Sequence, residues 1–236
     1  MTNELLILIA AGASLGFIHT LFGPDHYLPF IVMARTRRWS MLKTGLVTFF
    51  CGIGHVASSV ILGFVGISFG LALDSLIAFE SFRGGLAAWL LIAFGLLYFI
   101  WGLRRAVKGK SHTHLHGHAN GLTHKHIHSH AEDHVHIHSD AESNITPWIL
   151  FTVFVLGPCE PLIPILMYPA AKSSLAGVVW VSLVFGVVTV FTMCAIVLAA
   201  AFGASFIRLG KFERYSHSMA GATICISGLS ISFLGL

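Results

Sequence analysis

"GFIHTLFGPDHYLPFIVMARTRRWS", residues 16–40, sets two imidazoles and a carboxylate, His19, Asp25 and His26, inside an otherwise apolar run and closes it with Arg35, Arg37 and Arg38. Ionisable groups in a hydrocarbon setting are costly, and those that are kept face a protein interior or a water path. The run is also interrupted. Pro24 has no N–H to donate and frees the carbonyl of Thr20, and Pro29 does the same to Asp25. On a regular helix the seven residues from His19 to His26 span about 10.5 Å, too far for both to bind one metal ion at about 2.1 Å. A break at Gly23-Pro24 is what folds the two imidazoles together.

The rest of the chain explains why such a run exists. Of 236 residues 56% are hydrophobic and 10% charged, and the mean hydropathy is +0.82. That mixture excludes a soluble globular domain. Nearly uncharged stretches long enough to cross a hydrocarbon core of roughly 30 Å occur at 4–33, 44–73, 84–103, 147–170, 175–206 and 217–236, which predicts six transmembrane helices. The first lacks a basic leader and a small-residue cleavage site and reads as a retained span.

Assigning the loops alternately to two faces puts 12 Lys and Arg on one side, including Arg35, Arg105 and Arg214, and two, Arg83 and Lys172, on the other. By the positive-inside rule both termini lie outside and the 104–146 loop lies in the cytoplasm of a cell-membrane protein. The net charge of +4 therefore reports topology and gives no case for nucleic acid. Asp74, Glu80 and Arg83 fall on an outer loop in this reading. The four cysteines, at 51, 159, 194 and 225, show no CxxC spacing and no disulfide framework.

Sliding the sequence by 134 residues aligns Gly23-Pro24 with Gly157-Pro158, Leu28 with Leu162, Met33 with Met167 and Gly52 with Gly186. A shift of 133 places "ESFRGGLAAWLLIAFGLLYFIWGL" over "ERYSHSMAGATICISGLSISFLGL". The chain reads as two three-helix repeats, 1–103 and 147–236, with an odd helix count that inverts the second in the membrane. Paired breaks of this kind survive only where backbone is buried in protein or lines a cavity.

At the second break stand Cys159 and Glu160, equivalent to Asp25 and His26, and the second predicted span adds His55 in "CGIGHVASSVILG". Imidazole, carboxylate and thiolate form a donor set for nickel, cobalt, zinc or copper, so His19, Asp25, His26, His55, Cys159 and Glu160 are candidate ligands of a transition-metal site between the first, second and fourth spans. A proton relay and a structural polar network are the other readings of the same residues. Nothing in the pattern marks an enzyme or a tightly bound cofactor. Gly12/Gly16 and Gly66/Gly70 permit close helix contacts and a homodimer.

Residues 111–142, "SHTHLHGHANGLTHKHIHSHAEDHVHIHSDAE", hold 11 of the 15 histidines, at 112, 114, 116, 118, 124, 126, 128, 130, 134, 136 and 138. Period two brings imidazoles to one side of an extended chain, and such tracts bind divalent metals. With few apolar residues the loop is expected to be disordered unless metal orders it.

"HTLFGPDH" resembles the His/Asp-His signature of the nickel/cobalt transporters of the urease-associated permease and efflux type, "GIGHVASSVILG" resembles their Leu-Gly-His-Ser segment, and "LGPCEPLIP" is similar in position to their later acidic segment. The resemblance implies Ni2+ or Co2+ transport along a path lined by His19, Asp25, His26 and His55, with the His-rich loop modulating flux. The paired Gly-Pro segments also resemble the membrane thiol-transfer proteins of cytochrome c maturation, in which both equivalent positions carry cysteine; here one is Asp25. Transition-metal transport is thus the leading expectation, with a membrane thiol-disulfide electron-transfer protein, or a metal-binding accessory protein that does not transport, as the alternatives.

Overall fold

A computed structural model describes residues 3–107, 112–117, 123–128, 145–159, 161–172, 174–206 and 210–234. Its helices are α1 (Asn3–Phe22), α2 (Leu28–Thr36), α3 (Met41–Ser68), α4 (Leu73–Val107), α5 (Thr146–Leu156), α6 (Leu162–Ala171), α7 (Leu175–Ser205) and α8 (Ser216–Leu234). The protein is a multi-pass, all-α membrane protein, and among the described residues four helices, α1, α3, α4 and α7, are long and apolar enough to cross a bilayer. Two short strands, β1 (His112–Gly117) and β2 (Thr123–His128), pair antiparallel in the His-rich segment with His112, His114 and His116 opposite His128, His126 and His124. The expectation of disorder for that loop otherwise concerns residues outside those described.

The proline-bearing stretches are where the predicted spans divide. The first becomes α1 and α2, separated at Gly23 and by a 3-10 turn over Pro24–His26. The fourth becomes α5 and α6, both too short to cross alone, separated around Gly157-Pro158. Element order repeats: a divided helix, a long helix and a third helix, twice over.

Local chemistry sets the long helices. Ser40 caps α3 by accepting the Lys43 N–H at 3.2 Å, and Ser174 caps α7 by accepting the Gly177 N–H at 3.2 Å, each satisfying a donor that a helix start leaves open. Glycines then set the packing. A Cβ on Gly95 of α4 would lie 2.4 Å from Cys225 N of α8, and one on Gly221 of α8 would lie 2.3 Å from Phe99 N of α4, so these two helices meet backbone to backbone. Gly12 and Gly16 of α1 face Val181, Phe185 and Thr189 of α7 within the chain.

The core has two centres, each built on one break. Phe30 and Met33 of α2 pack with Leu150, Phe154 and Met193, and Cys159 and Leu162 pack with Leu166, Val181 and Phe185. All of these are fully or almost fully buried. The placement of Glu80 and Arg83 on an outer loop is corrected: both lie in α4, Glu80 with no exposure and Arg83 with 8%. A hydropathy window reads two charges as a loop, whereas at i and i+3 they neutralise each other inside the protein, with Arg83 Nη1 donating to Glu80 Oε1 at 2.8 Å.

Candidate functional site

The 3-10 turn after Pro24 swings His26 back beneath the end of α1, bringing its ring centroid to 4.6 Å from that of His19 at an interplanar angle of 81°. Gly23 makes the fold-back sterically feasible, since a Cβ there would lie 2.4 Å from His26 Nδ1. His26 Nδ1 faces two acceptors, Asp25 Oδ1 at 3.1 Å and Gly23 O at 3.2 Å. His55, from the middle of α3, faces a third: its Nδ1 lies 3.2 Å from Phe154 O. That carbonyl loses its i+4 donor at Pro158 and accepts the Gly157 N–H at 3.0 Å as well as His55, so the end of α5 helps orient His55.

These contacts assign the tautomers. An Nδ1 surrounded by oxygen acceptors carries the proton, and the Nε2 of each neutral ring then carries a lone pair. His26 Nε2 and His55 Nε2 face each other at 3.3 Å. Cys159 Sγ joins them at 3.2 Å from His55 Nε2 and 3.9 Å from His19 Nε2. Donor nitrogens of His19, His26 and His55 all lie within 4.8 Å of one another, close enough for one metal ion. His26, His55 and Cys159 are buried, with exposures of 2%, 2% and 0%. The adjoining cavity, touched by Asp25, His55, Gly84 and Pro158, measures about 20 Å³, room for a single water-sized particle.

Of the candidate ligands named from sequence, His19, His26 and His55 converge through one nitrogen each, and Cys159 Sγ contacts His55 and His19 beside them. Asp25 stands behind them, bonded to the far side of the His26 ring as an orienting carboxylate. Glu160 lies outside the described residues, as do His118, His130, His134, His136 and His138 of the loop. The other three cysteines, Cys51, Cys194 and Cys225, are free thiols, as is Cys159.

Sequence reasoning missed Arg83. Its Nη2 donates to Ser58 Oγ at 2.8 Å, Val155 O at 2.9 Å and Gly157 O at 3.3 Å, and Ser58 Oγ donates to His55 O at 2.8 Å. Val155 and Gly157 carry carbonyls at the open C-terminal end of α5, where positive charge is favoured. Arg83 and His55 together therefore satisfy the break that presents Cys159. Gly84 reinforces the seat, since a Cβ there would sit 2.7 Å from Pro158 Cγ. The signal was available as the Glu80-x-x-Arg83 pair in an apolar run.

A polytopic membrane protein in which two divided helices and α3 bring one thiol and three imidazoles into a nearly closed core is the class that fold and site define. The chain belongs to the family described as the cytochrome C biogenesis protein transmembrane region, which matches residues 26–230. No curated protein and no solved structure matches the chain.

Membership points to membrane thiol-disulfide electron transfer, the alternative raised by the paired Gly-Pro segments, and it overturns the nickel/cobalt transporter resemblance together with the metal, nickel and cobalt transport it implied. The reason lies in what the short motifs encode. The Gly-Pro step, the flanking small residues and a polar group at each break are what any divided helix of this architecture needs, so they carry fold more than substrate.

Proposed function

We propose that the chain relays reducing equivalents through a single buried sulfur, Cys159, between a dithiol donor and a disulfide acceptor. The observation that carries this is Cys159 Sγ at the second break, 3.2 Å from His55 Nε2. An unprotonated Nε2 at that distance is a base for the thiol, and the thiolate is the nucleophile in exchange. Asp25 occupies the repeat position at which the thiol-transfer relatives carry a second cysteine, so the chain works through mixed disulfides in place of an internal one.

The steps balance. Cys159 passes its proton to His55 Nε2 and attacks one sulfur of the acceptor disulfide; that S–S bond breaks, a Cys159–acceptor disulfide forms, and the acceptor's other sulfur leaves as a thiolate that takes the proton. A donor thiolate then attacks the Cys159 sulfur, releasing the acceptor's second sulfur as a thiol after protonation. The donor's remaining thiolate attacks the donor sulfur joined to Cys159, closing the donor disulfide and freeing Cys159. Two electrons and two protons pass from dithiol to disulfide.

Cys159 has no exposure in this conformation, so exchange requires the halves to open about Gly23-Pro24 and Gly157-Pro158. The finer topology follows: six spans as two inverted three-helix repeats, both termini outside and the His-rich loop cytoplasmic. Supporting it are the repeated element order and the cross-packing in which α1 lies on α7, α3 on α5 and α4 on α8, as a two-fold relation between halves requires.

One observation favours a second reading, a metal-binding accessory role without transport. Two neutral Nε2 lone pairs 3.3 Å apart repel unless a proton or a cation lies between them. Tetrahedral coordination at 2.0–2.1 Å sets nitrogens roughly 3.3–3.4 Å apart. Three imidazoles and a thiolate suit zinc or cuprous ion. The experiment that separates the readings is trapping: Cys159 captured in a mixed disulfide with an added disulfide probe supports the relay, and a protein that binds metal at these residues but forms no such adduct supports the accessory role.

A further inference from the structure

A second, larger space opens at the end of the bundle that holds the start of α3 and the end of α4. It has a volume of about 1240 Å³, and among the described residues its walls carry Arg35, Arg38, Arg105 and Arg214 with one carboxylate, Glu213. None of the residues argued to serve thiol chemistry lines it.

The guanidinium groups have contacts that hold them in place. Arg35 Nη1 donates to Ala204 O near the end of α7. Arg105 lies 5.4 Å over the Trp101 ring and Arg214 lies 4.5 Å over the Tyr215 ring, stacking that fixes the planar groups while leaving N–H donors at their edges. Arg38 reaches Glu213 at 3.2 Å, but that pair is 76% and 67% exposed and is readily exchanged for another anion. Helix α3 begins in the same wall, with Ser40, Met41 and Thr44 lining the space, so its N-terminal partial charge adds to theirs.

An independent observation concerns Arg38 itself. Helix α2 closes with Trp39 N donating to Ala34 O at 2.8 Å and Arg38 N donating to Arg35 O at 3.2 Å. Arg38 turns the corner at φ +50° and is the one non-glycine residue with positive φ among those described. Glycine takes that left-handed closing position without cost and a residue with a Cβ does not. A strained position that holds a long cationic side chain over a cavity points to a role for the side chain.

We infer that this vestibule binds a phosphate-bearing anion, from a phospholipid headgroup or from free phosphate, held by Arg35, Arg38, Arg105 and Arg214. Forked guanidinium groups match phosphate oxygens two at a time, and basic pockets between membrane helices at the interface take anionic headgroups. The inference goes beyond the thiol relay and stands without it.

The test is equilibrium binding to the full-length chain in neutral detergent, with phosphatidylglycerol, phosphatidylcholine and inorganic phosphate as separate probes, for wild type, Arg38→Gly and the double variant Arg35→Gln/Arg105→Gln. Phosphatidylglycerol binds more tightly than phosphatidylcholine, and each guanidinium removed weakens it about fivefold. Arg38→Gly keeps or raises the ligand-free melting temperature while it weakens binding, which separates loss of the site from loss of the fold. Competition by millimolar phosphate identifies the phosphate group itself as the ligand; binding of phosphatidylglycerol without competition identifies the lipid as its source. Equal binding of the two lipids with no binding of phosphate overturns the inference, as does wild-type affinity in both variants.

Discussion

His26 Nε2 and His55 Nε2 face each other across 3.3 Å, each ring pinned from behind through Nδ1, by Asp25 and Gly23 O in one case and by Phe154 O in the other. The two breaks thus aim two lone pairs at one point beside Cys159. His55→Ala removes one of the two donors to Phe154 O, the other being the Gly157 N–H. The carbonyl keeps the Gly157 N–H at 3.0 Å, so the variant loses one hydrogen bond, about 1 kcal/mol, and melts lower in detergent. His55→Gln, which retains an amide donor, recovers part of that loss without recovering the thiol reactivity of Cys159, measured as its alkylation rate.

Arg83→Met leaves Glu80 as a buried charge without its ion-pair partner and the Val155 and Gly157 carbonyls without their donor. Removing one member of a buried pair costs about 3–5 kcal/mol. The double variant Glu80→Gln/Arg83→Met is less destabilised than Arg83→Met alone. A thermal double-mutant cycle checks the sign of the coupling, and additive losses would show that the two side chains act separately.

Gly23→Ala places a Cβ 2.4 Å from His26 Nδ1. The neighbour is a planar ring held by two oxygens, and the clash is relieved only when the ring breaks those bonds and leaves the cluster. Loss of Cys159 reactivity accompanies a modest change in melting temperature, whereas Gly85→Ala, at a helix position with open space around it, leaves both unchanged.

Much of the architecture is legible in the chain because apolar length and proline position are local signals. Gly23-Pro24 and Gly157-Pro158 announce the breaks, and seven-residue spacing shows that His19 and His26 meet only across one. Asp25 is legible as polar but not as an orienting group, since only the fold-back shows that its carboxylate sits behind His26 while Nε2 points forward. Glu80 and Arg83 are unreadable from hydropathy, because the window counts their charges and cannot see them cancel. The family match over 26–230 supports the thiol-transfer alternative that the paired Gly-Pro segments raise and overturns the leading nickel/cobalt expectation, because the motifs "HTLFGPDH" and "LGPCEPLIP" record how the helix is divided.

If a cation replaces the missing proton between His26 and His55, it also engages Cys159. Zinc or cuprous ion then protects Cys159 from alkylation while leaving Cys194, on α7, as reactive as before. Stoichiometric protection in wild type that vanishes in His26→Ala supports the metal-binding reading. Undiminished alkylation at saturating metal excludes it, whatever the His-rich loop binds.

The central claim is that Cys159 is the sulfur through which electrons pass. The most direct measurement uses sealed proteoliposomes holding the full-length chain, with a dithiol outside and a disulfide probe inside, and follows the thiols that appear inside. Transfer in wild type and in Cys51→Ser, Cys194→Ser and Cys225→Ser, with loss in Cys159→Ser, is the result expected here. Transfer that persists at the wild-type rate in Cys159→Ser, or that is absent from the wild-type protein altogether, contradicts it.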